Sequence, residues 1–140
     1  MQKFQTEIEV RYAETDMMGV VYHANYLIWA EVARTHLVEQ VGFSWPEMER
    51  RGIVSPVLNV NFNFKKAAHY GDRVTATVWV AEYNGFRVTY AYEFHNQEGE
   101  LLCEGTTHHV LAEAGTLKPI RMDRRLPELH ARYLQIRQES

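Results

Sequence analysis

Between Tyr12 and Tyr26 the chain reads YAETDMMGVVYHANY, a stretch where polar, titratable and backbone-permissive residues gather. Asp16 and His23 bracket Gly19, the residue free to adopt positive φ. Apolar residues at helical spacing begin just beyond, so this stretch delivers a carboxylate to the start of a helix. Helix N-termini present unpaired N–H groups and a partial positive charge, which suits a carbonyl oxygen acquiring negative charge. A carboxylate held beside that oxygen can attack the carbonyl or activate water. The same spacing also fits a plain connection, with Asp16 a turn or capping residue, Asn25 the helix N-cap and His23 a partly exposed loop histidine. Spacing alone leaves both readings open.

Other chemistries find less support. The serines are Ser44, Ser55 and Ser140, and none lies in a G-x-S-x-G elbow. Cys103 falls within an apolar strand-like run, where a packed thiol is the ordinary reading. His108 and His109 are adjacent and so point to opposite faces of a strand, while His36, His69, His95 and His130 stand isolated. No H-x-x-x-H or C-x-x-C spacing occurs, and no Gly-rich phosphate loop follows a strand. Neither a metal nor a bound cofactor is expected.

The elements that position the Asp16 segment follow from periodicity. Alternation from Phe4 to Tyr12, with Ile8 and Val10 between Glu7, Glu9 and Arg11, predicts a first strand. Residues 24–41 read as a helix, with Tyr26, Ala30, Ala33, Leu37 and Val41 recurring at spacings of three and four. Leu27, Ile28, Trp29 and Val32 widen its apolar face so far that the helix should be covered on most sides. Gly42 suits its terminator, and Trp45 to Arg50 predicts a short helical turn with Pro46 at its first position. Four alternating runs follow: Leu58 to Phe64, Val74 to Val80, Phe86 to Phe94 and Leu101 to Leu111. Tyr83-Asn84-Gly85 and Asn96 to Gly99 supply hairpin turns. Leu126, Leu129, Tyr133 and Ile136, opened by Pro127, predict a C-terminal helix. The architecture expected is α+β in a single domain over 1–140: a curved antiparallel sheet of about five strands wrapped around the helix of residues 24–41. Such a sheet leaves an edge, and pairing with a second copy satisfies one, so a dimer is the least assembly expected.

Composition bounds the partners. Hydrophobic residues are 46% and charged residues 24%, globular values, and the formal charge of −3 argues against a surface devoted to nucleic acid. No run of about 18 apolar residues could span a bilayer. No signal-peptide pattern follows Met1, and with one cysteine the chain reads as a soluble cytoplasmic protein.

The series Tyr12-x-x-Thr15-Asp16-x-x-Gly19-x-Val21-Tyr22-His23-x-Asn25-Tyr26 resembles the signature of the 4-hydroxybenzoyl-CoA thioesterase family, particularly its Tol-Pal-associated acyl-CoA thioesterase branch. Glu31, Ala33 and Arg34 continue the likeness along the helix. Ser55-Pro56-Val57 and the residues from Phe64-Lys65 to Gly71-Asp72 extend it, so that it spans roughly Ile8 to Val110. The resemblance implies a hotdog fold, a homodimer or homotetramer with its site between subunits, and hydrolysis of an acyl-CoA thioester without metal or prosthetic group. By motif position Asp16 matches the catalytic carboxylate, Tyr12 and His23 match residues assisting it, and the backbone N–H near His23 matches the carbonyl-polarising donor. A membrane-associated protein complex is the partner that the branch implies. The rival readings are a hotdog hydroxyacyl-thioester dehydratase, imitated by His23 with Glu31 but lacking that group's His-Phe-Pro-Gly segment, and a non-catalytic acyl-CoA-binding module, in which Asp16 has no purpose. For the substrate, Asn25, Tyr26 and Trp29 are candidates at the acyl group, which can be short aliphatic or aryl. Lys65, Lys66 and Arg87 are candidates at the CoA phosphates. Aromatics at helical spacing are more often core, and surface cations are more often simply solvated.

Overall fold

The computed structural model describes residues 1–138. Its centre is a five-stranded antiparallel sheet of β1 (Lys3–Glu9), β3 (Val57–Phe64), β4 (Arg73–Tyr83), β5 (Arg87–His95) and β6 (Leu101–Val110), in the order β1-β4-β5-β6-β3. Two short strands, β2 (Ile53–Val54) and β7 (Ala112–Glu113), pair separately. Helix α1 (Asn25–Gln40) lies against the sheet, α2 (Trp45–Arg50) follows it, and α3 (Met122–Arg125) leads into α4 (Pro127–Ile136). The mixed α+β architecture expected from the sequence is present, with its long helix and its C-terminal helix.

The local reasons are visible in the residues. Tyr26, Trp29, Ala30, Ala33, Leu37 and Val38 of α1 are buried, a stripe at the 3.6-residue period. Gly42, at φ +94°, ends the helix, and the Phe43 N–H reaches back to Val38 O at 3.0 Å, closing its last carbonyls. On β5 one face serves two helices: Phe94 packs on Tyr26 and Trp29 of α1, whereas the Tyr90 hydroxyl lies 2.6 Å from that of Tyr133 on α4. Asn84 Oδ1 accepts from the Phe86 and Arg87 N–H groups, and Asn96 Oδ1 from those of Glu98 and Glu100, which builds the two hairpin turns.

Three expectations shift. The first strand stops at Glu9, because Glu14 Oε1 accepts the Arg11 N–H at 2.8 Å and pulls Tyr12 to Glu14 into a 3-10 turn. Pro46 sits second in α2 rather than first, after Ser44, whose hydroxyl accepts from the Glu47 N–H. Helix α1 is covered by the sheet on one side only: Leu27, Ile28 and Val32 remain 43%, 51% and 45% exposed. Strand β3, at the sheet edge, likewise leaves Val57, Leu58, Val60 and Phe64 exposed.

Candidate active site

The segment before α1 is a miniature hairpin. Thr15 bridges Val21 in antiparallel fashion, the Asp16 N–H donates to Val20 O at 2.9 Å, and the Tyr22 N–H donates to Glu14 O at 2.9 Å. Its turn runs from Asp16 to Gly19, closed by the Gly19 N–H on Asp16 O at 3.0 Å and made possible by φ +79° at Gly19. A bond from the Val21 N–H to Ala68 O ties the hairpin to the segment after β3.

Asp16 is half-buried at the tip, and its Oδ1 accepts the Met18 N–H at 2.8 Å. No group among the described residues bonds Oδ2. One oxygen therefore fixes the carboxylate while the other is left unengaged among the described residues. Where the hairpin runs into α1, the first helical N–H groups turn back on themselves, from Asn25 to Tyr22 O and from Tyr26 to His23 O. Among the described residues the backbone N–H groups of His23 and Ala24 have no acceptor, so two donors are left at the positive end of the helix.

Glu14 is the residue that sequence reasoning passed over. It is 4% exposed, and its carboxylate joins both sides of the site: Oε1 takes the Arg11 N–H, and Oε2 takes the Trp29 indole N–H at 2.8 Å. Its carbonyl accepts from the Asn25 side chain as well, at 2.8 Å. Burial alone pushes this carboxyl up, but hydrogen bonds from the Arg11 N–H and the Trp29 indole, with the Arg11 guanidinium, hold it below its usual value. The one signal for it in the sequence was a glutamate inside an otherwise recognisable motif.

Other candidates divide. The exposed His23 ring lies tilted against Tyr22 at 4.4 Å and meets Phe64 edge-on at 6.2 Å, without a bond to Asp16. Tyr12 is 75% exposed, and its ring lies edge-on to Tyr70 at 5.7 Å rather than on the Asp16 carboxylate. Asn25 is the first residue of α1, not its cap, and its amide is engaged by Glu14. Tyr26 and Trp29, at 3% and 1% exposure, belong to the core: the sheet closes over the helix face that carries them, so neither lies open to an acyl group. Lys65 and Lys66 follow β3 near the hairpin, and Lys66 is ion-paired with Glu100. Arg87 lies at the far end of the sheet, since it pairs with Val110 whereas Phe64 pairs with Cys103. Within one chain these three cations do not form a cluster. Cys103 is fully buried, and burial pushes its thiol up to about 12, which leaves it no thiolate to offer.

The site thus holds a hydrogen-bonded carboxylate on the hairpin that leads into the start of α1, where two backbone N–H groups have no acceptor among the described residues. The family model described as the thioesterase-like superfamily matches residues 10–132, and the chain belongs to that superfamily. Its similarity to individual proteins covers most of the chain. It is 44% identical over 133 residues to YneP of Bacillus subtilis (strain 168), provisionally named an acyl-CoA thioesterase, covering 95% of this chain and 96% of that protein. It superposes on the crystal structure of DHNA-CoA thioesterase from Staphylococcus aureus with a TM-score of 0.94 and 46% identity, covering 96% of this chain and 91% of that one. It is 28% identical to the 1,4-dihydroxy-2-naphthoyl-CoA hydrolase of Thermosynechococcus vestitus (strain NIES-2133 / IAM M-273 / BP-1), over 72% of this chain and 70% of that protein. The fold is the hotdog fold, and the chain is an enzyme of the thioester hydrolase class.

Proposed function

We propose that the protein hydrolyses acyl-CoA thioesters whose acyl group is aromatic, with Asp16 as the reacting carboxylate. The observation that carries the reading is the half-engaged Asp16 carboxylate, Oδ1 locked by the Met18 N–H and Oδ2 open, in one hydrogen-bonded unit with the unpaired N–H groups at the start of α1. The thioester carbonyl accepts from those donors, which stabilise its oxygen as charge develops. Asp16 then follows one of two routes: it attacks the carbonyl carbon and expels CoA thiolate, leaving an acyl-aspartyl anhydride that water hydrolyses, or it draws a proton from an attacking water; on either route a proton from that water ends on the CoA sulfur. An aromatic acyl group is supported by the names of the Staphylococcus and Thermosynechococcus relatives. Action on a CoA ester fits a cytoplasmic setting.

The site is completed by a second subunit in this reading. The open edge of β3 is suited to an antiparallel β3–β3 pair, in a dimer or a tetramer built from dimers. That pairing carries Arg87 of one subunit to the end of the joined sheet where Lys65 of the other stands, and so gathers cations for the CoA phosphates. The motif from Tyr12 to Tyr26 also supports a place near the Tol-Pal-associated branch, with a short aliphatic acyl group and a membrane-associated protein complex. A panel of acyl-CoA esters ranked by kcat/KM separates the two, aryl esters leading in the first case and short aliphatic esters in the second.

The deciding substitution is Asp16→Asn, which keeps the acceptor for the Met18 N–H and removes the negative charge. The variant folds, its kcat falls by at least about 10²-fold, and KM moves little. A folded Asn variant turning over at the wild-type rate leaves Asp16 a turn residue and sinks the mechanism.

A further inference from the structure

Away from the Asp16 hairpin, a run of hydrogen bonds crosses the interior from the middle of α1. Arg34 Nη1 donates to the Tyr92 hydroxyl at 3.0 Å, the Tyr92 and Thr107 hydroxyls are 2.6 Å apart, and Thr107 Oγ1 is 2.9 Å from His109 Nε2. A guanidinium only donates, so the assignment that leaves no hydroxyl hydrogen idle has Tyr92 donating to Thr107 and Thr107 to His109. Burial, and then the Arg34 charge, bring His109 down to about 4, so the ring is neutral at pH 7. Its one hydrogen then sits on Nδ1, which faces Ser55 with only long approaches of 3.5 Å to Oγ and O.

The run ends at a cavity of about 250 Å³ walled by Glu31, Arg34, Trp45, Val54, Ser55 and His109, with Glu49 also on its lining. Among the described residues the Arg34 guanidinium forms no ion pair, and its bond to Tyr92 is its single hydrogen bond. A guanidinium has five N–H donors, so most are left for this space. Donors from Arg34, Ser55 and His109 and acceptors from Glu31 and Glu49 thus meet between an indole and a valine. A hydroxyl both accepts and donates, and on a flat apolar ring it is the group that such a wall matches.

We propose that this cavity is the specificity pocket for ring hydroxyls on the acyl group, which accept from Arg34, Ser55 and His109 and donate to Glu31. The assignment rests on the aroyl-CoA reading above. Its position fits that reading. Val57, at the start of β3, pairs with His109, while Phe64, at the other end, touches the His23 ring. An antiparallel β3–β3 pair therefore sets the cavity of one subunit beside the Asp16 hairpin of the other.

The test compares wild type, Arg34→Gln and Ser55→Ala on 1,4-dihydroxy-2-naphthoyl-CoA and 2-naphthoyl-CoA, reading the ratio of the two kcat/KM values. A site built to bond a hydroxyl discriminates against its absence, so the wild-type ratio favours the dihydroxy ester, and Arg34→Gln lowers it at least about tenfold. Ser55→Ala, the milder change should the arginine variant not fold, lowers it by about threefold or more. Ratios left unchanged in both variants, including equal losses on the two esters, assign these residues to structure and overturn the proposal. A wild-type protein that hydrolyses neither ester overturns the aroyl-CoA reading itself, a result distinct from an unchanged ratio.

Discussion

At the scale of the residue, the site depends on a glutamate that does no chemistry. Glu14 holds the Arg11 N–H and the Trp29 indole with separate oxygens, and thereby joins the hairpin carrying Asp16 to the helix whose N-terminus lies beside it. Glu14→Gln keeps one acceptor and turns an amide NH₂ toward the other donor, so one buried N–H loses its partner. We expect a loss of about 1–3 kcal/mol in stability, measured by denaturant unfolding at pH 7. The difference has a pH signature. Because the folded state lowers the pKa of Glu14, its contribution is complete above the ordinary carboxylate range and fades as pH falls through the folded value. The stability gap between wild type and variant should therefore narrow in acid; a gap independent of pH would mean that the charge of Glu14 is not what holds the loop.

At the scale of the element, strand β6 shows how close packing shapes the edge of the sheet. Gly105 pairs with Phe62 on one side and Tyr92 on the other, and those two rings meet edge-on at 5.8 Å. A Cβ at residue 105 would run into the backbone of Asn61 and Phe62, which belongs to the strand and has no flexible end to yield. Gly105→Ala should cost about 1–3 kcal/mol and displace β3 from β6. Thermal melting reads the first effect, and sedimentation reads the weaker self-association that follows if β3 is the pairing edge. An alanine variant of wild-type stability would show that β3 shifts at no cost.

At the scale of the whole molecule, the proposed arrangement makes each site a composite, with Asp16 from one subunit and the Arg34 cavity from the other. Mixing inactive Asp16→Asn with Arg34→Gln subunits then tests it directly. A hybrid dimer contains one site with both residues native and one with neither, so activity on the dihydroxynaphthoyl ester should rise well above the sum of the parents, toward half the wild-type value in hybrids. Absence of any rise, in a mixture shown to exchange subunits, would place both residues in one subunit's site. The cations follow the same logic: KM for a CoA ester should increase with salt more than KM for a pantetheine ester, and equal responses would remove Lys65 and Arg87 from the phosphates.

The amino-acid order by itself determined the long strands, the helices α1, α2 and α4 and the loop before α1, but not β2, β7 or α3. Period-two runs marked the long strands, a wide 3.6-residue stripe marked α1, and Gly42, Asn84 and Asn96 marked ends and turns, because each of those signals is local. The Asp16 motif was legible for the same reason, as a contiguous series. Only the tertiary structure decided which side of α1 stays open, that Tyr26 and Trp29 turn into the core, and that Arg87 stands at the far end of the sheet from Lys65. It alone joined Arg34, Tyr92, Thr107 and His109, which lie on three elements, and assigned Glu14 to a buried bond across fifteen positions of sequence. Periodicity records which face of an element is apolar; it carries no term for the order in which strands pair, and side chains distant in sequence meet through that order.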